Sequence, residues 1–329
     1  MNVAVPVDSR AASRTLWLQA LLRRYPFALA GACFVTLVAV NGALQPNLFE
    51  AQVLVSNLST WLPMILVATG QTYVILASDI DLSVGSIVSL VNVTVVSAID
   101  AFGGGGAAIA LGILCGVTTG AACGLVNGLC VAWLRFQPIV TTFATGIVFG
   151  GVALWVLPEA GKQAPAAFWE SYAGTLLGVP VVVWILASAV LFCAWFALSG
   201  FYRSLLAVGG DMQSAFQSGL AVVRVRITAY VVCGVFSALA ALVLVGETAT
   251  GDPLLGGAFT LSSISAVVLG GTALSGGVGS SFGSLLGAMI LGLINNVIFF
   301  AGLPFEYQNL VQGLIVLAAL AGGVFASRH

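Results

Sequence analysis

Long apolar runs that are almost free of charge follow one another along nearly the whole chain. Only 6% of the 329 residues are charged and 60% are hydrophobic, and the mean hydropathy is +1.12. A soluble domain carries about a quarter charged residues. Because the hydrocarbon core of a bilayer accepts only segments that satisfy their own backbone hydrogen bonds, these runs predict an all-α, polytopic membrane protein.

A crossing needs about 20 residues. On that basis we predict about ten transmembrane helices. Their ranges are 27–44, 53–76, 84–99, 107–134, 138–157, 179–199, 227–246, 258–272, 282–303 and 308–326. The segments 84–99 and 258–272 are short, so re-entrant half-helices are an alternative for these two.

The N-terminal segment, 1–26, is polar and precedes the first apolar run. A cleaved signal peptide is an alternative, but the run 27–44 exceeds the usual apolar region of about 7–15 residues and no clear cleavage site follows it. We therefore predict a cytoplasmic segment, 1–26, followed by one transmembrane domain, 27–329.

The basic residues test the helix count, because Lys and Arg concentrate on the cytoplasmic side of membrane proteins. With ten crossings and the N-terminus inside, only Lys162 falls outside. The residues on the inner face are then Arg10, Arg14, Arg23, Arg24, Arg135, Arg203, Arg224, Arg226 and Arg328. This pattern predicts that both termini lie in the cytoplasm.

One polar stretch, 200–226, interrupts the apolar runs. It carries three of the ten basic residues, Arg203, Arg224 and Arg226, and we expect a short helix in it around 204–218. We predict that this stretch is a cytoplasmic loop through which the membrane helices contact a soluble partner.

Two carboxylates, Asp79 and Asp81, lie at or within the membrane. Ionisable groups are expensive there, so they are candidates for a functional site. A structural role competes with this hypothesis, because Asp81 or Ser83 can accept hydrogen bonds from the free N–H groups at a helix start. The two roles can coexist.

Eight glycines lie between residues 270 and 292. A phosphate-binding loop requires G-x-x-x-x-G-K-[ST], which does not occur in the chain. Gly279, Gly283 and Gly287 recur at every fourth position, which is the spacing of a close contact between helices. We therefore predict helix packing and a flexible break in this stretch.

Groups for catalysis or metal binding are scarce. The six cysteines lie in apolar runs without paired spacing, and the one histidine is the last residue, His329. No basic face exists to bind nucleic acid. We predict that the chain is not an enzyme and binds no metal, cofactor or nucleic acid of its own.

Four stretches, in order along the chain, resemble the permease family of ribose- and xylose-type ATP-binding cassette importers. They are GQTYVILASDIDLSVGSIVSL, NG followed by FQPIVTTFATG, AVGGDMQSAFQSGL and SAVVLGGTALSGGVGSSFGSLLGA, and the likeness extends from about residue 56 to 312. The chain departs from the family pattern at Asp211, commonly Asn, and at Phe216, commonly a small residue. It also has Ser78 and Asp79 where a Gly-Gly pair is common.

This resemblance implies the membrane subunit of an importer in the bacterial inner membrane. Its partners would be cytoplasmic ATPase subunits that hydrolyse ATP, a periplasmic sugar-binding protein, a second permease copy or a paralogue, and membrane lipid. Its substrate would be a small sugar or polyol. The motif match implies that the residues that couple the permease to the ATPase are Arg203, Gly209, Gly210, Asp211, Ser214 and Gly219.

A neutral sugar needs hydrogen-bond partners but no counter-ion, which fits a chain with few intramembrane charges. Each amide in or near the helices has an alternative role in an interhelical hydrogen bond. Our candidates for the translocation path or a gate are Asp79, Asp81, Ser83, Gln71, Asn92, Asn295 and Asn296. Asn295 and Asn296 are the preferred pair.

Three other classes of protein compete with this hypothesis. A proton- or cation-coupled secondary transporter would use Asp79 or Asp81 as its ion site, and its uptake would collapse with an uncoupler while ATP persists. A membrane scaffold predicts no flux of substrate. An integral membrane enzyme has the least support, because no catalytic cluster is recognisable.

Overall fold

The computed structural model describes residues 28–304 and, beyond them, residues 306–307, 309–311, 313–314 and 317. Most of residues 28–304 are helical, which confirms the predicted all-α membrane fold. The predicted N-terminal segment, 1–26, and most of the predicted last span, 308–326, lie outside the described residues. The helices are α1 Ala28–Leu44, α2 Ala51–Leu76, α3 Val84–Ala101, α4 Gly106–Gly128, α5 Pro138–Val156, α6 Ala166–Ala173, α7 Val181–Ala197, α8 Gly200–Gly210, α9 Met212–Gln217, α10 Val222–Thr248, α11 Phe259–Leu269 and α12 Ser281–Phe300.

Six of the described helices are long and apolar enough to cross a membrane, namely α2, α3, α4, α5, α10 and α12. A π-helical turn, Leu129–Trp133, extends α4. Helices α7 and α8 make a seventh crossing only if they count as one span, and they bend by 71° at their junction. Of the two segments predicted to be short, 84–99 is a full-length helix, whereas 258–272 contains only the short helix α11.

The connections collect at two ends of the bundle. One end, the α6 end, carries α6 and four two-residue strands: β1 Lys162–Gln163, β2 Thr175–Leu176, β3 Val179–Pro180 and β4 Thr250–Gly251. Strand β1 pairs antiparallel with β4, and β2 pairs antiparallel with β3. The other end, the α8 end, carries α8, α9, the α2–α3 link (residues 77–83) and the α11–α12 link (residues 270–280).

Helix α10 lies at the centre and packs closely on α4 because glycines on α4 face its backbone. A Cβ atom added to Gly120 would lie 2.4 Å from the carbonyl oxygen of Gly234, and one added to Gly124 would lie 2.3 Å from that of Tyr230. Small residues allow such close approach of membrane helices, whose association depends on van der Waals packing. The abundance of glycine is therefore explained in part by this contact.

A second close contact joins α12 to α11. A Cβ atom added to Gly283 would lie 2.1 Å from the carbonyl oxygen of Gly270, and one added to Gly287 would lie 1.9 Å from that of Ala266. Gly279 lies before α12 with a φ of +156°. Of the three glycines with a four-residue spacing, two thus make the helix contact, and the third belongs to the α11–α12 link.

The polar stretch 200–226 differs from its prediction in two respects. It contains two helices, α8 and α9, because Asp211 has an extended backbone (φ −154°) between them and its carboxylate caps α9 by accepting a 2.7 Å hydrogen bond from the Ser214 N–H. It also ends earlier than predicted, since α10 begins at Val222. Arg224 and Arg226 therefore belong to a membrane helix, where Arg226 is buried and Arg224 is exposed.

Candidate functional site

The α8–α9 surface consists of the exposed residues of α8, α9 and the turn that follows them. Five of the six residues expected to couple to an ATPase are exposed there, namely Arg203, Gly210, Asp211, Ser214 and Gly219. The neighbouring side chains of Met212 and Phe216 are 38% and 72% exposed. Phenylalanine and methionine side chains are enriched at protein interfaces relative to the rest of the surface.

Gly209, the sixth of these residues, is buried and joins α8 to the rest of the chain. A Cβ atom at Gly209 would lie 1.8 Å from the Leu76 carbonyl oxygen and 2.6 Å from the Gly277 nitrogen. The Gly277 N–H donates a 3.1 Å hydrogen bond to that same carbonyl of Leu76. The end of α8 therefore meets the end of α2 and the α11–α12 link, backbone against backbone.

Two side chains strengthen this junction. Ser78 lies in the left-handed region, with a φ of +67°, and its Oγ is placed to donate to the carbonyl oxygens of Gly209 (3.0 Å) and Ser275. The Tyr202 hydroxyl of α8 donates to the Gly279 carbonyl at 2.7 Å. Side chains other than glycine rarely adopt such a φ, so the backbone at Ser78 is strained.

Asp79 forms a buried ion pair with Arg226 of α10. Arg226 Nε donates to Asp79 Oδ2 at 2.9 Å, and Nη2 donates to Oδ1 at 2.8 Å. The Asp79 side chain is 2% exposed and the Arg226 side chain is 11% exposed. Sequence reasoning missed this pair because the partners are 147 residues apart, although both lie at the same predicted membrane face.

Asp81 is fully buried in a network of neutral donors. Its Oδ1 accepts hydrogen bonds from the backbone N–H of Ser83 (2.8 Å) and from the Ser83 hydroxyl (2.6 Å). Asn127 Nδ2 donates to the Ser83 Oγ at 2.7 Å, and Thr145 donates to the Asn127 Oδ1 at 2.6 Å. Gln71 Nε2 donates to the Asp81 carbonyl at 3.2 Å. Asp81 therefore binds Ser83, the N-cap residue of α3, rather than a free N–H group of the first helical turn, and α3 has no side-chain cap of the predicted kind. The network joins α2, α3, α4 and α5.

Asn92 lies apart from these residues, towards the α6 end. Its Oδ1 accepts a 2.7 Å hydrogen bond from the backbone N–H of Asp252, in the loop before α11. The candidate path residues therefore separate into three places. Asp79, Asp81, Ser83 and Gln71 lie together near the α8 end, Asn92 holds a loop, and Asn295 and Asn296 lie elsewhere.

Asn295 and Asn296 line a pocket of about 220 Å³ between α2, α11 and α12. Thr60, Trp61 and Phe259 contribute to the same pocket. Asn296 Nδ2 donates to Asn57 Oδ1 of α2 at 3.2 Å. The pocket contains amide, hydroxyl and aromatic groups, and the residues that line it carry no charge.

A larger cavity of about 990 Å³ lies between α4, α6, α7 and α10. Its walls are almost entirely aliphatic and aromatic, for example Ile109, Phe168, Ile185, Phe192 and Val235. Because a sugar leaves its hydroxyls unpaired against such walls, this cavity is unsuited to a polar substrate despite its size. Among the described residues, no group of three or more His, Cys, Asp and Glu is placed to hold a metal ion.

A bundle of membrane helices with a short helix pair at one end and a polar pocket within it fits the class of membrane transport proteins. The family whose profile matches residues 53–320 is described as "Branched-chain amino acid transport system / permease component". No solved structure gives a significant match.

Curated relatives match most of the chain. The ribose import permease of Escherichia coli K12 is 34% identical over 299 residues, which cover 87% of this chain and 90% of the relative. The ribose import permease of Bacillus subtilis 168 is 35% identical over 291 residues (86% and 88%). The autoinducer 2 import system permease of Yersinia pseudotuberculosis is 33% identical over 290 residues (87% and 81%).

The chain therefore belongs to the permease family of ribose- and xylose-type ATP-binding cassette importers. It is a multi-pass protein of the inner membrane and a permease subunit, as its relatives are. Membership of this family implies an ATP-hydrolysing partner subunit and a periplasmic binding protein. The alternative of a secondary transporter is not supported by these relatives.

Proposed function

We propose that this chain forms the translocation path for a small sugar or polyol and couples it to cytoplasmic ATPase subunits through the α8–α9 surface. The observation that carries the proposal is the position of Gly209, where α8 meets both the end of α2 and the α11–α12 link. The 34–35% identity to ribose import permeases supports a monosaccharide or a related polyol as the substrate.

The docking contact is assigned to the exposed part of the α8–α9 surface. Arg203, Asp211 and Ser214 supply charge and hydrogen-bonding groups, and Phe216 supplies an apolar anchor. Because Gly209 is buried against its own chain, its role is to transmit force rather than to contact the ATPase.

Movement of α8 would reach two parts of the membrane bundle at once. The Leu76 contact leads into α2, and the contacts of Gly277 and Gly279 lead into α12. Closure of an ATPase dimer beneath α8 would therefore rock α2 and α12, a rigid-body transition between two packings. In this scheme the buried residues Asp79, Asp81, Ser83 and Gln71 hold the α2–α3 link together and act as part of a gate.

The same scheme places the α8 end and both termini in the cytoplasm. Lys162, paired with Asp100 at 2.8 Å, then lies on the outer face, and the exposed Arg203 and Arg224 lie on the inner face, as the positive-inside rule requires. Asp79 is already neutralised by Arg226, which argues against its use as a proton or cation site.

A second permease copy or a paralogue would complete the path. Gln52, Ser56 and Thr60 are exposed on α2, and Asn295 and Asn296 are half-buried on α12. Polar groups on membrane helices face a bundle interior or a wet cavity because exposure to hydrocarbon is costly. This polar face of α2 and α12 is accordingly assigned to a water-filled path between two permeases.

Co-purification tests the proposed coupling surface. The chain carrying Phe216→Glu is purified in mild detergent beside a control, Leu177→Glu. Both positions hold exposed apolar side chains, 72% and 86% exposed, but they lie at opposite ends of the bundle. We expect the ATPase to co-purify with wild type and with the control and to be lost with Phe216→Glu. Equal ATPase recovery with both variants would contradict the assignment.

A further inference from the structure

We infer that the pocket between α2, α11 and α12 is an intramembrane binding site for a single sugar ring, with the Trp61 indole as its stacking surface. This inference rests on the proposed function and assigns a particular site to the substrate. The pocket is defined by Thr60, Trp61, Phe259, Gly292, Asn295 and Asn296.

The pocket lies within the membrane-spanning length of α2 and α12, nearer to the α6 end than to the α8 end. Trp61 is 15 residues before Leu76, the last residue of α2, and this distance corresponds to about 22 Å of helix. Asn295 is 14 residues after Ser281, the first residue of α12, or about 21 Å. The two helices thus place the pocket at the same depth, inside a hydrocarbon core of about 30 Å.

At that depth the polar groups need a polar partner. Asn296 shares one hydrogen bond with Asn57, while the Asn57 Nδ2 atom is buried and has no hydrogen-bond partner within the described part of the chain. Leaving a buried donor unpaired is costly, and ordered water or a ligand normally satisfies it. Asn57 does not line the pocket itself, but it contacts the pocket through Asn296, so a hydrogen-bonding occupant beside Asn296 is favoured there.

The chemistry of the lining selects a neutral ligand with many hydroxyls. Amides both donate and accept, as sugar hydroxyls do, and the residues that line the pocket include no charged side chain to recognise an ionised substrate. A charged substrate would be desolvated there without a counter-ion. At about 220 Å³, the pocket is smaller than the roughly 300–1,000 Å³ sites of drug-sized ligands, so it suits one ring.

The Trp61 indole packs in a defined position against α12 because Gly292 lies beside it. A Cβ atom at Gly292 would lie 2.5 Å from the Cδ1 and Nε1 atoms of the Trp61 indole. The glycine therefore leaves room for the ring against α12, and alanine at this position would force the ring to move. An aromatic face beside amides covers the C–H face of a sugar ring while the amides bind its hydroxyls.

Transport by the complete importer tests this assignment. The chain, its ATPase and its binding protein are reconstituted in proteoliposomes, and uptake of labelled ribose and ATP hydrolysis are measured together. We expect Trp61→Ala and Gly292→Ala to lower the ribose moved per ATP by about tenfold, and Asn295→Leu to lower it by about two- to tenfold. Trp61→Phe keeps an aromatic face and is expected to retain most transport.

Matched controls separate the pocket from general damage. Trp155→Ala removes an 83% exposed indole on α5, and Gly151→Ala adds a Cβ atom that meets nothing within 4 Å. Both controls should transport at the wild-type rate. Wild-type ribose uptake in Trp61→Ala would overturn the assignment, as would a proportional loss of uptake and ATP hydrolysis, which indicates a structural role.

A labelling experiment distinguishes failure of the pocket from failure of the proposed function. Asn295→Cys is treated with a membrane-impermeant maleimide, with and without ribose-loaded binding protein, against the wild-type cysteine background. Labelling that ribose slows by several fold supports the assignment. Labelling that ribose does not affect would show that the pocket lies on a water-filled path but binds no sugar, which would contradict the assignment and leave the proposed function intact. Absence of labelling would show that the pocket does not lie on the path.

Discussion

The buried ion pair of Asp79 and Arg226 fixes the α2–α3 link to the start of α10. Each charge is compensated by the other through two hydrogen bonds of 2.8 and 2.9 Å. Two buried charges of opposite sign can contribute little net stability, but removal of one partner leaves the other uncompensated and is strongly destabilising. This asymmetry gives a test at the scale of single residues.

We expect Arg226→Met to lower the stability of the purified protein by about 3–5 kcal/mol, because Asp79 would remain buried without a partner. The double variant Asp79→Asn with Arg226→Met should recover much of the loss. Thermal unfolding in detergent measures both changes. Arg224→Met, on an exposed position of the same helix, is the control and should have little effect. Equal effects of Arg226→Met and Arg224→Met would contradict the ion-pair account.

Ser78 allows a second prediction, which compares the loss of stability caused by two substitutions at this position. Ser78→Ala loses the hydrogen bonds to Gly209 and Ser275 but keeps the side-chain strain at a φ of +67°, so it should destabilise the protein by about 1–3 kcal/mol. Ser78→Gly loses the same bonds but relieves the strain, so its loss should be smaller. Thermal unfolding of the two variants measures which one loses more stability. A larger loss of stability for Ser78→Gly than for Ser78→Ala would contradict this reasoning.

Residue roles could be read from the sequence where the relevant contact is local. The hydrogen bonds of Asp81 to Ser83, two residues away, follow from the D-x-S spacing. The hydrogen-bond partners of Asp79 and Asn296 could not be predicted from the sequence, because each pair depends on how helices that are distant in sequence pack. The expected placement of Asn295 and Asn296 on one path remains a prediction.

At the scale of helices, contacts between backbones determine which elements move together. The α11–α12 contact depends on Gly283 and Gly287, and the junction of α8 depends on Gly209. Periodic glycines predicted the first contact, since their spacing of four is visible in the sequence. The junction of α8 was not predictable, because it joins three segments that are remote in sequence.

We expect Gly283→Ala to weaken the α11–α12 contact, because its Cβ atom would lie 2.1 Å from the Gly270 carbonyl oxygen. Overpacking of this kind typically costs about 1–3 kcal/mol. Gly151→Ala on α5, where the added atom meets nothing within 4 Å, is the matched control. Thermal unfolding in detergent compares the two variants, and an unchanged midpoint for Gly283→Ala would show that the helices can separate without loss.

The division of 200–226 into two helices also belongs to this scale. Hydropathy marked the stretch as polar, but the end of α8 at Gly210 and the start of α9 at Met212 depend on the backbone of Asp211. The beginning of α10 at Val222 was missed because Arg224 and Arg226 lower the hydropathy of its first turns. Charged residues in the first turns of a helix look like a polar loop in a hydropathy profile.

At the scale of the whole molecule, the bundle has two different ends, and the proposed function requires that they face different compartments. Cysteine substitutions at Phe216 and Leu177 test this in intact cells with a membrane-impermeant thiol reagent. We expect labelling of Leu177→Cys from outside, and of Phe216→Cys only after the membrane is opened. The wild-type chain, with its six cysteines, sets the background. The reverse pattern would invert the orientation and contradict the proposed docking surface.

The energy source of transport tests the account most directly. Ribose uptake is measured in proteoliposomes that contain the complete importer, with ATP, with a non-hydrolysable analogue, and with an imposed proton gradient in place of ATP. The account predicts uptake that requires ATP hydrolysis, is not driven by the proton gradient and is lost in Phe216→Glu. Uptake that the proton gradient drives without ATP would contradict the account and would favour a secondary transporter.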